Sequence, residues 1–467
     1  MSLFNVVKDH YNQLPNWMIQ LMGSAYYCIP ESMRYGVAFR SAQEILWETE
    51  NLPKGQMEEL VNQRFLNTVQ NAVAHVPFYQ KLYREHGVDI TIIKDIRDIG
   101  LLPTICKQDL QDFKNEFLAD NWDKDRLMYI TTSGSTGNPV GFYQPKSMLM
   151  TEWAYTMHIW NRIGCTVNSS RLVLRGKKLH PNGSELDIFY DPLRRELSCN
   201  VFNMTELNLE RYCVAIEKHK PEFIHGYMSA VLMLSKYISS RPGGLRHQFK
   251  GVLATSETIL PEQKEYVEKV LHTRVFSFYG HSERLVIAGE CEKSTDYHVE
   301  PLYGYCELLN AQGQPVNDGE IVATGFLNPA MPLIRYRTGD MAQWSQDTEC
   351  ACGRAHMRLS GVHGRWNQDM LVNSEGAYVS LTALNIHSDE FDRIIRYKLI
   401  QDKPGIVCMQ IMPHRDFTDR DGARIKGLLE ENTGHKIRFD IALVEELPLK
   451  KNGKYQIVEQ KIPIALK

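Results

Sequence analysis

Between Glu206 and Glu283 the chain alternates apolar helix faces with short apolar runs, and this restricts the fold more than any other feature. Leu209, Tyr212 and Ile216 recur at helical spacing, as do Val231, Leu234 and Ile238. Val267, Val270 and Leu271 do so again after Pro261, a residue suited to a first helical turn. Phe223–Tyr227, Gly251–Thr255 and Val275–Phe278 are short strand-like runs between them. Strand–helix–strand units at this spacing predict an α/β domain with a largely parallel sheet. Such sheets bind ligands at the carboxyl ends of their strands, where Tyr279 and Gly280 fall.

The rest of the chain is read around that domain. Its 467 residues exceed one compact core and predict roughly two or three domains. Residues 1–120 form a mostly helical lead-in, with Val61, Phe65, Val69 and Val73 on one face of a helix that breaks at His75-Val76-Pro77. Ser147–Ile163 predicts a helix and Arg171–Gly176 a short strand ending in a glycine turn. Tyr303–Leu309, Glu320–Thr324 and Leu333–Tyr336 predict strands of a smaller β region. A last segment carries strands at Lys398–Ile400 and Val407–Ile411 and a helix at Arg424–Asn432. The expected division is a large domain over 1–363 and a small α+β domain over 364–467.

A net charge of −3 argues against a general nucleic-acid binder. Ten cysteines lie scattered rather than at framework spacings, which predicts a reducing, cytoplasmic compartment. No export-signal pattern opens the sequence. Leu14–Pro30 carries no charge but is broken by Asn16, Gln20, Gly23 and Ser24, short of the ~20 apolar residues of a membrane span. It reads as a helix docked on the body or as an interfacial anchor, with no integral membrane segment.

Three groups of residues carry chemistry. Thr131, Thr132, Ser133, Gly134, Ser135, Thr136 and Gly137 form a hydroxyl- and glycine-rich stretch ending at Asn138-Pro139. Glycine lets backbone N–H groups approach an anion, and the hydroxyls add donors. The stretch is a polyphosphate cradle or a polar surface turn; it is no Walker loop, because no Lys-Ser or Lys-Thr pair closes it. Arg175, Lys177, Lys178 and His180 either meet an anionic substrate or form a solvated loop. Cys291, His298, Cys350 and Cys352 make a closed tetrahedral zinc set, although Cys350 and Cys352 stand closer than the usual spacing, or they are four ordinary residues.

In chain order the motifs are Thr131–Pro139, Tyr279-Gly280-His281-Ser282-Glu283, Tyr336-Arg337-Thr338-Gly339-Asp340, Gly364-Arg365 and Lys450-Lys451-Asn452-Gly453-Lys454. This series resembles the adenylate-forming superfamily of acyl- and aryl-CoA synthetases, luciferases and peptide-synthetase adenylation domains. Ala74–Tyr79 and Leu102–Lys107 narrow it to the phenylacetate–CoA ligase branch, including relatives from capsular and surface-polysaccharide clusters.

The resemblance implies an ATP- and Mg2+-dependent ligase that activates a carboxylic acid as acyl-AMP. Thr132 and Ser133–Gly137 would cradle the β- and γ-phosphates, and Glu283 would hold magnesium. Ser256, Glu257, Tyr279, Gly280, His281 and Ser282 would line the nucleotide, Asp340 the ribose hydroxyls, and Arg365 ribose or phosphate. Lys454 matches the adenylation lysine that bridges carboxylate and α-phosphate. Arg175, Lys177, Tyr227 and Gly280 would face the acid. Some relatives bind zinc with a pattern similar to Cys291, His298, Cys350 and Cys352.

Two departures bear on the acceptor. The usual Gly-Arg-x-Asp hinge is Gly364-Arg365-Trp366-Asn367 here, and the glycine-rich CoA segment is Asn373-Ser374-Glu375-Gly376-Ala377. These leave adenylation intact and put transfer to CoA in doubt, so an amine acceptor and an amide product become attractive. The expected substrate is a small or sugar-linked carboxylic acid, polar or anionic if the Arg175 region lines its pocket. A non-catalytic nucleotide binder and a membrane-peripheral assembly factor using residues 14–30 are the other readings. The branch also brings the expectation of a homodimer, for which the sequence shows no seam.

Overall fold

The computed structural model describes residues 18, 23, 26–131, 140–175, 186–257, 259, 261–347, 349–363, 370–380, 384, 389–413, 415–447 and 457–462. Helices α1 (Glu31–Tyr35), α2 (Val37–Thr49), α3 (Lys54–His75), α4 (Pro77–Glu85) and α5 (Lys107–Asp112) form the lead-in. The α3 stripe of Met57, Val61, Phe65, Val69 and Ala72 is buried. The helix stops at Val76 because Pro77 disfavours a helical residue before it, and Pro77 itself opens α4. At the end of the uncharged N-terminal run, Tyr26 is buried and Tyr27 donates to the Leu193 carbonyl at 3.0 Å, so that part is docked on the body. No helix among the described residues is long and apolar enough to cross a membrane.

Strands β1 (Leu127–Thr131) and β2 (Gly141–Pro145) form a hairpin, followed by α6 (Met148–Asn161). Next come β3 (Arg171–Leu174), β4 (Ile188–Asp191), β5 (Glu196–Cys199), α7 (Glu206–His219), β6 (Phe223–Gly226), α8 (Met228–Ser240), β7 (Gly251–Ala254), α9 (Pro261–Leu271) and β8 (Val275–Gly280). Strands β9 (Ile287–Gly289), β10 (Tyr297–Val299), β11 (Gly304–Leu309), β12 (Asp318–Gly325), β13 (Tyr336–Trp344) and β14 (Arg358–His363) complete the sequence to residue 363.

These strands join in one 12-stranded sheet, ordered β11-β12-β13-β14-β10-β9-β8-β7-β6-β3-β5-β4. The β5-β3-β6-β7-β8 stretch is parallel, and the smaller β region continues from it antiparallel through β8–β9. Both faces of the parallel stretch are covered. Ile224, Val252 and Val275 join the cluster that contains α7, α8 and α9, while Phe223, Leu253 and Phe276 pack with α6. That two-sided burial is what short, continuous apolar runs require.

The last helix begins at Asp419 rather than Arg424 and the Lys398–Ile400 strand extends over Ile394–Lys403, but the boundary that bears on the site is another. Leu333–Tyr336 was expected as a strand, but the strand begins at Tyr336 and runs to Trp344, so the Tyr336–Asp340 motif lies inside it. Leu333 and Ile334 are buried as core, while Arg335 sits at φ 53° and breaks the extended run. Its guanidinium is fixed by Glu307 and by the carbonyls of Gly100 and Leu102.

Beyond residue 369, β15 (Met370–Val372) pairs with β16 (Tyr378–Ser380). A four-stranded sheet, β19-β18-β17-β20, follows, built from β17 (Ile394–Lys403), β18 (Ile406–Pro413), β19 (Arg438–Leu443) and β20 (Val458–Gln460). Its helix α10 (Asp419–Asn432) begins at a Thr418–Asp421 capping box. Asn373, fully buried, donates to the Phe202 carbonyl at 2.7 Å. Its Oδ1 accepts from the N–H groups of Glu375 and Ala377, folding residues 373–377 into a tight turn.

Candidate active site

At the carboxyl end of β8 the sheet changes from parallel to antiparallel pairing, and the chain turns through His281, Ser282, Glu283 and Arg284. Arg284 holds φ 57°, a conformation uncommon outside glycine. Its guanidinium pairs with Glu152 of α6 in a largely buried ion pair. Burial pushes the Glu152 carboxyl up, against the opposing charges of Arg284 and His281. Gly304 lets this turn seat against β11, because a Cβ there would stand 1.8 Å from the Leu285 carbonyl oxygen.

Glu283 receives two contacts within this turn. His281 Nδ1 lies 3.3 Å from Oε2, and Tyr336 Oη donates to Oε1 at 3.3 Å. Burial pushes the Glu283 carboxyl up, but His281 and the positive charge of Lys107 more than offset it, so the net direction is down. The group is a half-buried carboxylate anion at neutral pH, the hard oxygen donor that suits magnesium. Lys107 arrives through a long-range connection: Ile105 N–H donates to Arg335 O at 3.0 Å and Arg337 N–H to Ile105 O at 2.8 Å. That bridge lays the 102–107 segment along β13.

Asp340, within β13, accepts from Tyr279 Oη at 2.9 Å. Burial pushes the Tyr279 phenol well above its usual range and the Asp340 charge adds to this, so the phenol remains a donor. Ser256 and Glu257 follow β7 and stand beside Tyr279-Gly280 across the β7–β8 pair; Ser256 is exposed, at φ 65°. Three buried polar atoms at this end, Thr255 Oγ1, His281 Nε2 and Arg284 Nη1, have no partner among the described residues. Arg175 and Tyr227 follow β3 and β6 at the same edge. The structure therefore brings Arg175, Tyr227, Ser256, Glu257, Tyr279, Gly280, His281, Ser282, Glu283 and Asp340 to one side of the sheet.

Thr132, Ser133, Gly134, Ser135, Thr136, Gly137, Lys177, Arg365 and Lys454 lie outside the described residues. The described residues that flank 132–139 form the β1–β2 hairpin, in which Thr131 pairs with Gly141. Gly141 has no room for a side chain: a Cβ would lie 1.7 Å from Tyr129 Oη.

The candidate zinc set forms where β9, β10 and β14 adjoin. The ligand atoms of Cys291, His298, Cys350 and Cys352 all lie within 4.8 Å of one another. Cys291 Sγ is 3.7 Å from Cys350 Sγ, and Cys352 Sγ is 3.8 Å from His298 Nε2. Burial, aided by neighbouring arginines, pulls the His298 imidazole down to about 3, which keeps it in the neutral ligand form. Burial pushes the Cys291 thiol up to about 11, but Lys293 and Ser294 N–H groups donate to its sulfur at 3.3 and 3.2 Å. A coordinated dication deprotonates such thiols. The donor set fits zinc. Because β9 runs antiparallel to β8, with Ile287 opposite Gly280 and Gly289 opposite Phe278, the chain is heading away from the Glu283 turn when it reaches Cys291.

The C-terminal residues 371–461 match the family model of the CapK C-terminal domain. Protein CapK of Staphylococcus aureus is 23% identical over 400 residues, spanning 85% of this chain and 87% of that protein. The phenylacetate–coenzyme A ligase of Thermus thermophilus is 24% identical over 348 residues, 71% of this chain and 75% of its own. Its homologues over most of its length are thus CapK and the phenylacetate–CoA ligases. A crystal structure of 2-hydroxyisobutyryl-CoA ligase, with 2-HIB-AMP and CoA, shares its fold with a TM-score of 0.59, 17% identity and coverage of 88% of this chain and 92% of that one.

For an adenylate-forming fold, four neighbours escaped the sequence reading as site residues. Lys107, Glu152 and Tyr336 reach the Glu283 turn from distant segments, and His225 lies beside Arg175. Lys107 and Tyr336 each belong to a motif already singled out, so proximity of the two motifs was the missing signal. Glu152 and His225 sit in runs that read as ordinary helix and strand.

Proposed function

We propose that the protein is an AMP-forming ligase that activates a carboxylic acid and passes the acyl group to an acceptor. The observation that carries this is the meeting of Tyr279, His281, Glu283 and Asp340 at the parallel-to-antiparallel switch of the sheet. Ligands of open α/β sheets bind outside the carboxyl ends of the parallel strands, the edge at which β8 ends. Asp340 would accept the ribose hydroxyls, Tyr279 pack on the base, and Ser256-Glu257 line its other face, with Gly280, His281 and Ser282 beside it. Thr132 and Ser133–Gly137 would hold the β- and γ-phosphates, Arg365 ribose or phosphate, and Lys454 the acid's carboxylate together with the α-phosphate. Lys107 adds positive charge beside Glu283.

One carboxylate oxygen of the acid attacks the α-phosphorus, and the bond to the bridging oxygen breaks. Pyrophosphate leaves with that electron pair. The acceptor nucleophile then attacks the acyl carbon, loses its proton to solvent or base, and AMP departs as the acyl–oxygen bond breaks. Magnesium held at Glu283 would neutralise charge on the phosphate oxygens. Preorganised cations and donors at the transferring group supply most of the acceleration.

For the acceptor we propose an amine, giving an amide in surface-polysaccharide synthesis in the cytoplasm. The turn closed by Asn373 supports this, since it fills the segment that carries glycines in CoA-using relatives. The similarity to phenylacetate–coenzyme A ligases favours the second reading, thioester formation with CoA. Zinc at Cys291, His298, Cys350 and Cys352 is proposed as structural. The test is acid-dependent pyrophosphate release with hydroxylamine as trap, followed by substitution of CoA or amines for hydroxylamine. ADP formation in place of AMP would refute adenylation, whereas ATP binding without release would mark a binder that does not turn over.

A further inference from the structure

We infer that Arg175, His225 and Tyr227 form a subsite for a second anionic group, a carboxylate or phosphate, at the far end of the acid. The inference rests on the adenylation reading and narrows its substrate class. Val173 pairs with His225 and Leu174 with Gly226, so Arg175 and Tyr227 leave adjacent strands side by side at the carboxyl edge. Arg175 Nη1 lies 3.4 Å from His225 Nε2, and the guanidinium carbon stands 5.7 Å from the Tyr227 ring centroid. Guanidinium nitrogen only donates, so His225 accepts there and is neutral, with its proton on Nδ1. The remaining guanidinium donors keep the fork geometry that matches carboxylate or phosphate.

Charge balance sets Arg175 apart from its neighbours. Arg171, Arg274 and Arg284, around the same sheet, each face a glutamate: Glu196, Glu290 and Glu152. Arg175 is half-buried, and no carboxylate lies within ion-pair distance among the described residues. Partial burial makes an unmatched cation costly unless an anion arrives. Trp160 backs the subsite, with its ring 4.7 Å from His225 and 6.2 Å from Phe278. This aromatic floor links the subsite to β8, where the reacting end sits.

Distance separates this subsite from the phosphates. Three strand steps lead from β3 through β6 and β7 to β8, or ~14 Å at the usual spacing. A magnesium–phosphate group at Glu283 and an anion at Arg175 therefore belong to opposite ends of the bound reactants. An acid as short as phenylacetate reaches only one of them.

Matched acids test the idea by ATP–pyrophosphate exchange on the full chain with magnesium. Adipate, suberate and sebacate are paired with hexanoate, octanoate and decanoate, and glucuronate 1-phosphate with glucuronate. The charged member of at least one pair should show a kcat/KM about 10- to 100-fold above its partner, the worth of one charged hydrogen-bonded contact. Arg175→Gln should collapse that ratio towards unity while thermal unfolding shows the variant folded. Arg175→Glu should invert the preference towards 8-aminooctanoate over suberate. The dicarboxylate and phosphate arms separate the two sources of charge. Exchange that favours the more highly charged member in no pair, or a preference that survives Arg175→Gln, overturns the subsite and leaves adenylation standing. No exchange with any acid, in protein that binds ATP, overturns the adenylation reading and the subsite with it.

Discussion

The Tyr279 phenol donates a 2.9 Å hydrogen bond to Asp340 Oδ2, tying the turn after β8 to the interior of β13. The two residues lie 61 positions apart, and only the antiparallel continuation of the sheet brings them together. Asp340→Asn removes the charge that would accept the ribose hydroxyls and should raise the KM for ATP about 10- to 100-fold. Tyr279→Phe keeps the ring and loses the bond, so a smaller rise is expected. Initial-rate kinetics on folded variants check both; equal effects would contradict separate roles for ring and carboxylate.

Lys107 should matter to catalysis although it comes from the helical lead-in. Its charge helps hold the half-buried Glu283 carboxyl below its ordinary range. Lys107→Met should cut pyrophosphate release on the order of tenfold or more, with partial recovery in Lys107→Arg. A variant with full activity would make this lysine only the opening residue of α5.

A zinc ion is expected at Cys291, His298, Cys350 and Cys352. Elemental analysis of purified protein should find about one per chain. Cys352→Ser should lose it and lower the unfolding temperature, and a strong chelator should do the same to the native protein. ATP binding should persist in the variant at temperatures where it stays folded, because the cluster lies away from Glu283. Metal-free native protein with an unchanged unfolding temperature would refute the assignment.

Acid should expose a second structural centre. Burial pushes the Glu50 carboxyl up, but His158 and Arg354 overcome this and bring it to about 2 from the ordinary 4.5. A depressed carboxyl stabilises the fold above its unfolded value, and the contribution is lost as pH falls through the folded one. Glu50→Gln should therefore destabilise the protein by roughly 1–3 kcal/mol at neutral pH, the cost of leaving its hydrogen-bond partners unsatisfied. The gap to native protein should narrow between pH 4.5 and 2. Thermal unfolding across that window measures it, and a gap constant with pH would contradict the pairing.

Much of this architecture is legible in local patterning. Phe223-Ile224, Val252-Leu253 and Val275-Phe276 each send neighbouring side chains to opposite apolar clusters, so strands buried on both faces announce themselves as short apolar runs. Leu333–Tyr336 misleads for the same reason: buried Leu333 and Ile334 look strand-like, yet the left-handed Arg335 is held by Glu307 and distant carbonyls. The site's motif residues are readable as types. Their mutual approach is not, because Lys107 depends on the Ile105–Tyr336 bridge and Glu152 on how α6 packs. His225 is silent in sequence, since nothing local says that β3 and β6 adjoin.

Pyrophosphate release with ATP, magnesium and hydroxylamine, across aromatic, fatty, amino and uronic or sugar acids, tests the central claim most directly. Release that depends on one acid class, with AMP as co-product, and falls on the order of a hundredfold in Lys454→Ala is the predicted result. ADP as the nucleotide product, or acid-dependent release that Lys454→Ala leaves intact, would contradict it.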